Sequence, residues 1–300
     1  MKNHTVKNGF TVLIYALILP LSLAVSGGCA GNVPKLTSPP PRAEMEATYG
    51  KKTPREWGET VTGVKDHLAT DKKVIALTLD ACGSAAGKGF DAELIRFLEK
   101  ENIPAALFIN ARWIDANPEP FMALAKNPLF TIANHGFFHR PASVNGRSIY
   151  GIGGTGSVDA LVDEIALNTE KIRQLTGKGT AHYRSGTAYY DEVAVQIAEE
   201  LGHEVVGFSV LGDAGATYDR EQVKAALLAS APGSIVILHM NHPESGTAEG
   251  VKAAVPELRN RGFRFVGLSD YRLRQGPFVM PNRKRNAWQG KSMWLRVPRR

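Results

Sequence analysis

Cysteine is nearly missing from this 300-residue chain, which holds only Cys29 and Cys82. A network of disulfides is thereby excluded, and stability has to come from an apolar core. Acidic residues are missing from one whole region: Arg272 to Arg300 contains nine Lys or Arg and no Asp or Glu. Taking those nine from the formal charge of +7 leaves −2, so the body of the chain is not basic and gives no sign of specific nucleic-acid binding. The basic stretch 272–300 reads as a solvated tail, with contact to an anionic surface as its functional alternative. Repeats at solenoid spacing are absent as well. What is present, 43% hydrophobic and 22% charged residues, describes an ordinary globular protein and excludes disorder throughout.

The N-terminus reads MKNHTVKNGF, then the apolar run TVLIYALILPLSLAV, then SGGCAG. A basic start, a short apolar stretch and a small-residue exit form an export signal over residues 1–28. Pro20 and that exit argue against a long membrane-spanning helix. Cys29 after Gly27 and Gly28 resembles the lipobox of bacterial lipoproteins, in which the cysteine carries a lipid. A lipid on Cys29, cleavage without one, and an uncleaved anchor all place the folded part outside the cytoplasm. The first makes the chain a membrane-anchored lipoprotein of the periplasmic or extracytoplasmic space, and either of the first two leaves Cys82 without a disulfide partner. Residues 29–73, with TSPPPR and GKKTPREWGET, read as a Pro-rich linker and an irregular lead-in.

From Val74 onward, apolar runs of strand length alternate with segments of helical period. The runs are VIALTL (74–79), AALFI (105–109), LFTIA (129–133), AHYR (181–184), VVGFSVL (205–211), SIVILH (234–239) and FRFVGL (263–268). Between them, apolar residues follow a helical period, as in Leu161, Ile165, Leu167, Ile172 and Leu175. Gly177, Gly202 and Gly262 stand where helix C-termini belong. Pro256 falls inside the last helical segment and is expected to kink or split it. Seven strands alternating with helices give an α/β fold with a parallel sheet, equally compatible with an open doubly wound sheet and a closed barrel.

In such folds the working residues gather at the C-terminal ends of the strands. Those ends deliver Asp80, His135 and His139 of NHGFFH, Arg184, Asp213 and His239. Asp80 ends the nearly continuous apolar run VIALTLDAC, a costly place for a carboxylate unless a cation or a set of donors meets it. Two imidazoles four residues apart just after a strand can face one cation, which with an oxygen ligand and an open position describes a catalytic divalent-metal site. Taken singly, each residue has a plainer reading: a helix cap for Asp80, a surface ion pair for Arg184, a core histidine for His239.

Together, in this order and spacing, they resemble the polysaccharide deacetylases of the NodB type, carbohydrate esterase family 4, across residues 74–271. TLDACG corresponds to the family's TFDDG, HGFFH to its HTxxH or HSxxH, RSGTA to its RPPYG, and Leu238 with His239 to its Leu-His motif. SVLGDAG matches the fourth motif in part. The resemblance implies a distorted (β/α)7 barrel and a metal-dependent hydrolase that removes acetyl groups from an N-acetylated or O-acetylated polysaccharide of the cell envelope or surroundings. It makes His135 and His139 metal ligands, with Zn²⁺ the first choice and Co²⁺, Ni²⁺ or Mn²⁺ as alternatives. Asp80 becomes the general base, Arg184 its charge partner, His239 the general acid and Asp213 a partner of the arginine or histidine. Thr187 would help to hold the oxyanion, and Leu238 to line the substrate groove.

Three positions depart from the family pattern. Ala81 stands where a second aspartate is usually the third metal ligand. Gly136 replaces a Ser or Thr of the histidine loop, and Ser185, Gly186 and Thr187 replace Pro-Pro-Tyr. Ala81 is the feature that keeps open the alternative of a non-catalytic glycan-binding relative with a weakened metal site. Within the first motif only Asp80 or the thiolate of Cys82 could replace the missing charge; Cys82, two residues past Asp80, is the less favoured of the two and reads as a small buried residue directed away from the site.

Overall fold

The computed structural model describes residues 41–85 and 87–276. The export signal, Cys29 and most of the basic tail lie outside the described residues. In chain order the elements are α1 (Arg42–Tyr49), β1 (His67–Leu68), β2 (Val74–Ala81), α2 (Ala92–Lys100), β3 (Ala105–Ile109), α3 (Ala111–Ala116), α4 (Pro118–Lys126), β4 (Phe130–Asn134) and α5 (Val158–Thr176). They continue with β5 (His182–Tyr183), α6 (Glu192–Glu200), β6 (Glu204–Val205), β7 (Val210–Leu211), α7 (Arg220–Leu228), β8 (Ser234–His239), α8 (Thr247–Asn260), β9 (Arg264–Phe265) and β10 (Leu273–Arg274).

The strands form one sheet in the order β10-β1-β8-β2-β3-β4-β5-β6, with β7 beside β8 and β9 beside β2. From β8 to β6 all pairings are parallel, and β1 pairs antiparallel with β8 and β10. The sheet curls until its far end returns to its beginning, where Lys65, just ahead of β1, forms a parallel bridge with Val206, just past β6. The result is a distorted α/β barrel.

Strand alternation sorts the side chains. Along β2, Ile75, Leu77, Leu79 and Ala81 join a layer packed against helices, which also takes in Leu94, Leu98, Trp113, Val251 and Leu258. Val74 and Ala76 point the other way, into the barrel, where Ala106, Phe108, Ala133 and Ile235 fill the interior. Thr78 and Asp80 continue this inner face toward the C-terminal edge. The register places Asp80 beside Phe108 on one side and His239 on the other. Small residues low in the barrel leave its upper interior to polar groups.

The sequence reading needs correction at four places. The lead-in is not irregular throughout: it contains α1, whose Met45 and Tyr49 are buried against α5 and α6 residues, and β1. The segment from Arg272 begins with a strand, β10, so not all of it is tail. VVGFSVL does not make one strand, because the carbonyls of Val206 and Gly207 accept from the Arg184 guanidinium at 3.0 and 2.8 Å. The chain therefore leaves β5 after Val205 and rejoins the sheet as β7 beside β8. Pro256 neither ends nor splits α8, which runs through it to Asn260. Gly177 does close α5, in the left-handed region at φ 73°. Among the described residues no helix is long and apolar enough to cross a membrane.

Candidate active site

Asp80, the first residue of the site, is 2% exposed. Its Oδ1 accepts from Arg184 Nη1 at 2.7 Å, and the same nitrogen donates to Thr78 Oγ1 at 2.9 Å. With Nε on the Val206 carbonyl and Nη2 on that of Gly207, the guanidinium has a partner on each of its three nitrogens. It also stacks over the Phe108 ring, 4.2 Å from its centroid. A buried ion pair is tolerated only when every lone pair and proton finds such a partner. The question raised by a carboxylate at a buried strand end is thus answered by Arg184.

His135 directly follows β4, and its backbone N–H continues the ladder to Ile109 O. Its Nδ1 donates to the Arg184 carbonyl at 3.0 Å. That bond orients the ring and turns Nε2 toward Asp80 and Cys82. Nε2 lies 3.7 Å from Asp80 Oδ2 and 3.8 Å from Cys82 Sγ. Burial pulls the His135 pKa down, yet the charges of Asp80 and Cys82 outweigh it and the net direction is upward.

His139 reaches the same place from the far side of a tight loop. It adopts φ 61°, and its ring meets that of His135 edge-on with centroids 4.9 Å apart. Its Nε2 is buried without a hydrogen-bond partner among the described residues. Gly186 is required here, since a Cβ on it would lie 2.4 Å from the His139 carbonyl carbon. This close approach explains why RSGTA carries a glycine where the resemblance led us to look for a proline.

Glu164 organises the histidine loop. It projects from α5, where its carboxylate accepts from the Phe138 N–H at 2.9 Å and the Arg140 N–H at 3.1 Å. Burial raises its pKa, against the pull of those N–H groups. Sequence reading missed it. The signal was a charged residue on the apolar stripe of α5, between Leu161 and Ile165 on one side and Asn168 on the other.

His239, the last residue of β8, is gripped by Asp213 at two points. The backbone N–H donates to Oδ2 at 2.6 Å, and Nδ1 lies 2.8 Å from Oδ1. Thr247 Oγ1, also missed in the sequence, donates to Asp213 Oδ2 at 3.0 Å. Burial lowers the His239 pKa, but the Asp213 carboxylate overrides it and holds the imidazolium well above the ordinary range. Asp213 is therefore a partner of the histidine, not of the arginine.

Cys82 requires a larger correction. It follows the last residue of β2 and continues the alternation of Thr78 and Asp80, so its side chain enters the site. Its Sγ and the nearest ring nitrogens of His135 and His139 all lie within 4.8 Å of one another. Burial would raise its pKa, but His139, His135 and His239 together hold it well below the ordinary thiol value. Leu238 is corrected in the opposite sense. It is fully buried in the helix-facing layer and cannot line a groove for substrate. Thr187 lies on the turn after Gly186, with Oγ1 buried and unpartnered among the described residues.

The strand ends therefore bring together Asp80, Cys82, His135, His139, Arg184, Asp213 and His239. The polysaccharide deacetylase family model matches residues 67–206, from β1 to just beyond β6. Comparison with curated proteins finds no match. Among solved structures, PdaA from Bacillus subtilis, a family 4 carbohydrate esterase, superposes with a TM-score of 0.59 at 20% identity, covering 76% of this chain and 87% of its own. A family 4 acetyl xylan esterase from Clostridium thermocellum in complex with a cobalt ion gives 0.52 at 21% identity, over 66% and 89%. BA3943, a family 4 pseudoenzyme from Bacillus anthracis, gives 0.56 at 18%, over 69% and 67%. Residues 67–206, which hold its first six strands, thus match the polysaccharide deacetylase family model, and the barrel around the site shares the fold of the family 4 carbohydrate esterases.

Proposed function

We propose that the protein is a metal-dependent hydrolase that removes acetyl groups from an acetylated polysaccharide of the cell envelope or its surroundings. The observation that carries this reading is that ring nitrogens of His135 and His139 lie within 4.8 Å of each other and of Cys82 Sγ, with the His135 ring oriented by its Nδ1 bond to the Arg184 carbonyl. Two such nitrogens fit a divalent cation, and Zn²⁺ first. When bound, that ion would polarise the acetyl carbonyl and make water a stronger acid.

The rest of the chemistry falls to the chain's own residues. Asp80 Oδ2 is free to take the water's proton, because Oδ1 is held by Arg184. Arg184 holds Asp80 in place and balances its charge. His239 is charged and oriented by Asp213 through Nδ1, which leaves Nε2 to protonate the departing sugar nitrogen or oxygen. Thr187, on the turn after Gly186, would steady charge developing on the carbonyl oxygen. The N-terminal segment, read as an export signal ending at Cys29, would put this activity outside the cytoplasm on a lipid anchor. A mass increase of the mature N-terminus by a diacylglyceryl group tests that part.

Ala81 supports a second reading, a glycan-binding relative without turnover. Full-length protein loaded with Zn²⁺ should release acetate from chitin oligomers or peptidoglycan. Binding of these glycans with no acetate released from them or from acetylated xylan would favour the second reading and overturn the first.

A further inference from the structure

We propose that the Cys82 thiolate is the third protein ligand of the metal site, which makes it a two-histidine, one-thiolate centre instead of one completed by a carboxylate. The inference rests on the metal-site reading above and adds to it the ligand that Ala81 leaves missing.

Three observations carry it. The first is register. Ala81 is fully buried in the helix-facing layer with Leu77 and Leu79, so a side chain at that position starts out directed away from His135 and His139. The inner face of β2 instead runs Thr78, Asp80, Cys82. The anionic ligand has moved one residue along the chain to the next side chain on the correct face.

The second is distance. Cys82 Sγ is 3.8 Å from His135 Nε2, and the three donor atoms lie within 4.8 Å of one another. Ligand bonds of ~2.1 Å to nitrogen and ~2.3 Å to sulfur at a tetrahedral ion put N and S about 3.6 Å apart. The sulfur needs little movement to reach that spacing.

The third is the backing. Gly83, at φ 70°, follows Cys82 and presses on α3 so closely that a Cβ there would lie 2.4 Å from the Trp113 nitrogen. Its N–H donates to Gly87 O at 3.1 Å. Cys82 is thus presented from a fixed turn and not from a loose loop end. The competing role for a thiol among imidazoles is that of a nucleophile. A nucleophile requires one base, whereas here a ring nitrogen from each of two imidazoles converges with the sulfur.

A thiolate changes which ion the site selects. Soft sulfur favours Zn²⁺ and Co²⁺ over Mn²⁺ and Mg²⁺, which prefer oxygen. Titration of metal-free full-length protein with Co²⁺ should produce a near-ultraviolet sulfur-to-cobalt charge-transfer band at one equivalent, and Zn²⁺ should abolish it. Cys82→Asp should still bind Co²⁺ but without that band, and should narrow the preference for Zn²⁺ over Mn²⁺. Cys82→Ala should weaken Zn²⁺ binding by about 10²-fold or more. Co²⁺ binding to the parent without the band, or unchanged Zn²⁺ affinity in Cys82→Ala, would overturn the ligand assignment and leave the hydrolase reading standing. An acyl group trapped on Cys82 during turnover would overturn it too, in favour of a nucleophile. A normal band without acetate release would preserve the ligand and sink the hydrolase. Absence of any metal binding would overturn both.

Discussion

Arg184 and Asp80 meet inside the barrel with Nη1 2.7 Å from Oδ1, and the side chain of neither is more than 3% exposed. The pair gives the carboxylate proposed as the base a structural role as well. Asp80→Asn is therefore expected to do two things. Removing the base should lower acetate release by at least ~10²-fold. Leaving the Arg184 charge uncompensated should cost about 2–4 kcal/mol, toward the lower end of what broken buried pairs lose, because Thr78, Val206 and Gly207 still accept from the guanidinium. Thermal melting and an acetate assay on the same preparation check both. Near-normal turnover would remove Asp80 from the mechanism.

The Asp213 and His239 pair should be visible in the pH profile. Asp213 raises the His239 pKa, so the imidazolium survives to higher pH than an ordinary histidine. Asp213→Asn removes that charge, and His239 then loses its proton at lower pH. The high-pH limb of kcat/KM should move toward lower pH. Thr247→Val removes only a hydrogen bond to Asp213 and should leave the limb near its parental position while costing about 1 kcal/mol of stability. A limb unmoved by Asp213→Asn would mean that His239 is not the acid.

Much of this site was legible in the sequence, because strand ends and motif order place polar groups without reference to packing. Asp80, His135, His139, Arg184, Asp213 and His239 all reach one rim. What escaped depended on which face a residue takes after its strand ends. Cys82 was read as pointing away, although two residues along an extended chain is one full alternation and returns to the same face. Ala81 looked like the vacancy of the site, whereas an aspartate there would sit in an apolar layer with Leu77 and Leu79. Leu238 failed for the same reason, as the neighbour of a site residue on a strand faces the other side. Glu164 comes from a helix 29 residues after His135, and only the folded loop shows what its carboxylate holds.

Acid should destabilise the fold through two histidines remote from the chemistry. His182 and His203 are 5% and 4% exposed, and burial lowers each pKa from the ordinary 6.5 to about 4. The Nδ1 of each is buried without a partner among the described residues. Between pH 6.5 and 4 the unfolded chain therefore binds protons that the folded chain refuses, so stability falls as pH falls. Each group contributes on the order of 3 kcal/mol over that window. Urea unfolding at pH 7 and at pH 4.5 should show the loss, and His203→Gln should reduce its size. A slope unchanged by that substitution would place the acid sensitivity elsewhere.

Restoring the residue the family uses in the histidine loop should harm this protein. Gly136 sits at φ 76°, where a side chain adds about 1–2 kcal/mol of backbone strain. A Cβ there would lie 2.2 Å from Glu164 Oε1. The carboxylate cannot move aside without releasing the N–H groups of Phe138 and Arg140, the residues on either side of His139. Gly136→Ser should therefore cost about 3 kcal/mol in all, or roughly 6–12 °C in Tm for a domain of this size. It should also weaken metal binding, because His139 loses its support. Glu164→Ala alone should loosen the loop, leaving its N–H groups without the carboxylate. In the double variant the serine no longer meets a carboxylate and can itself offer an oxygen to the loop, so the two losses should fall short of additive by about 1 kcal/mol or more. Melting curves of the four proteins complete the cycle. Strict additivity would mean that Gly136 and Glu164 act independently, and that the glycine is there for its backbone angle alone.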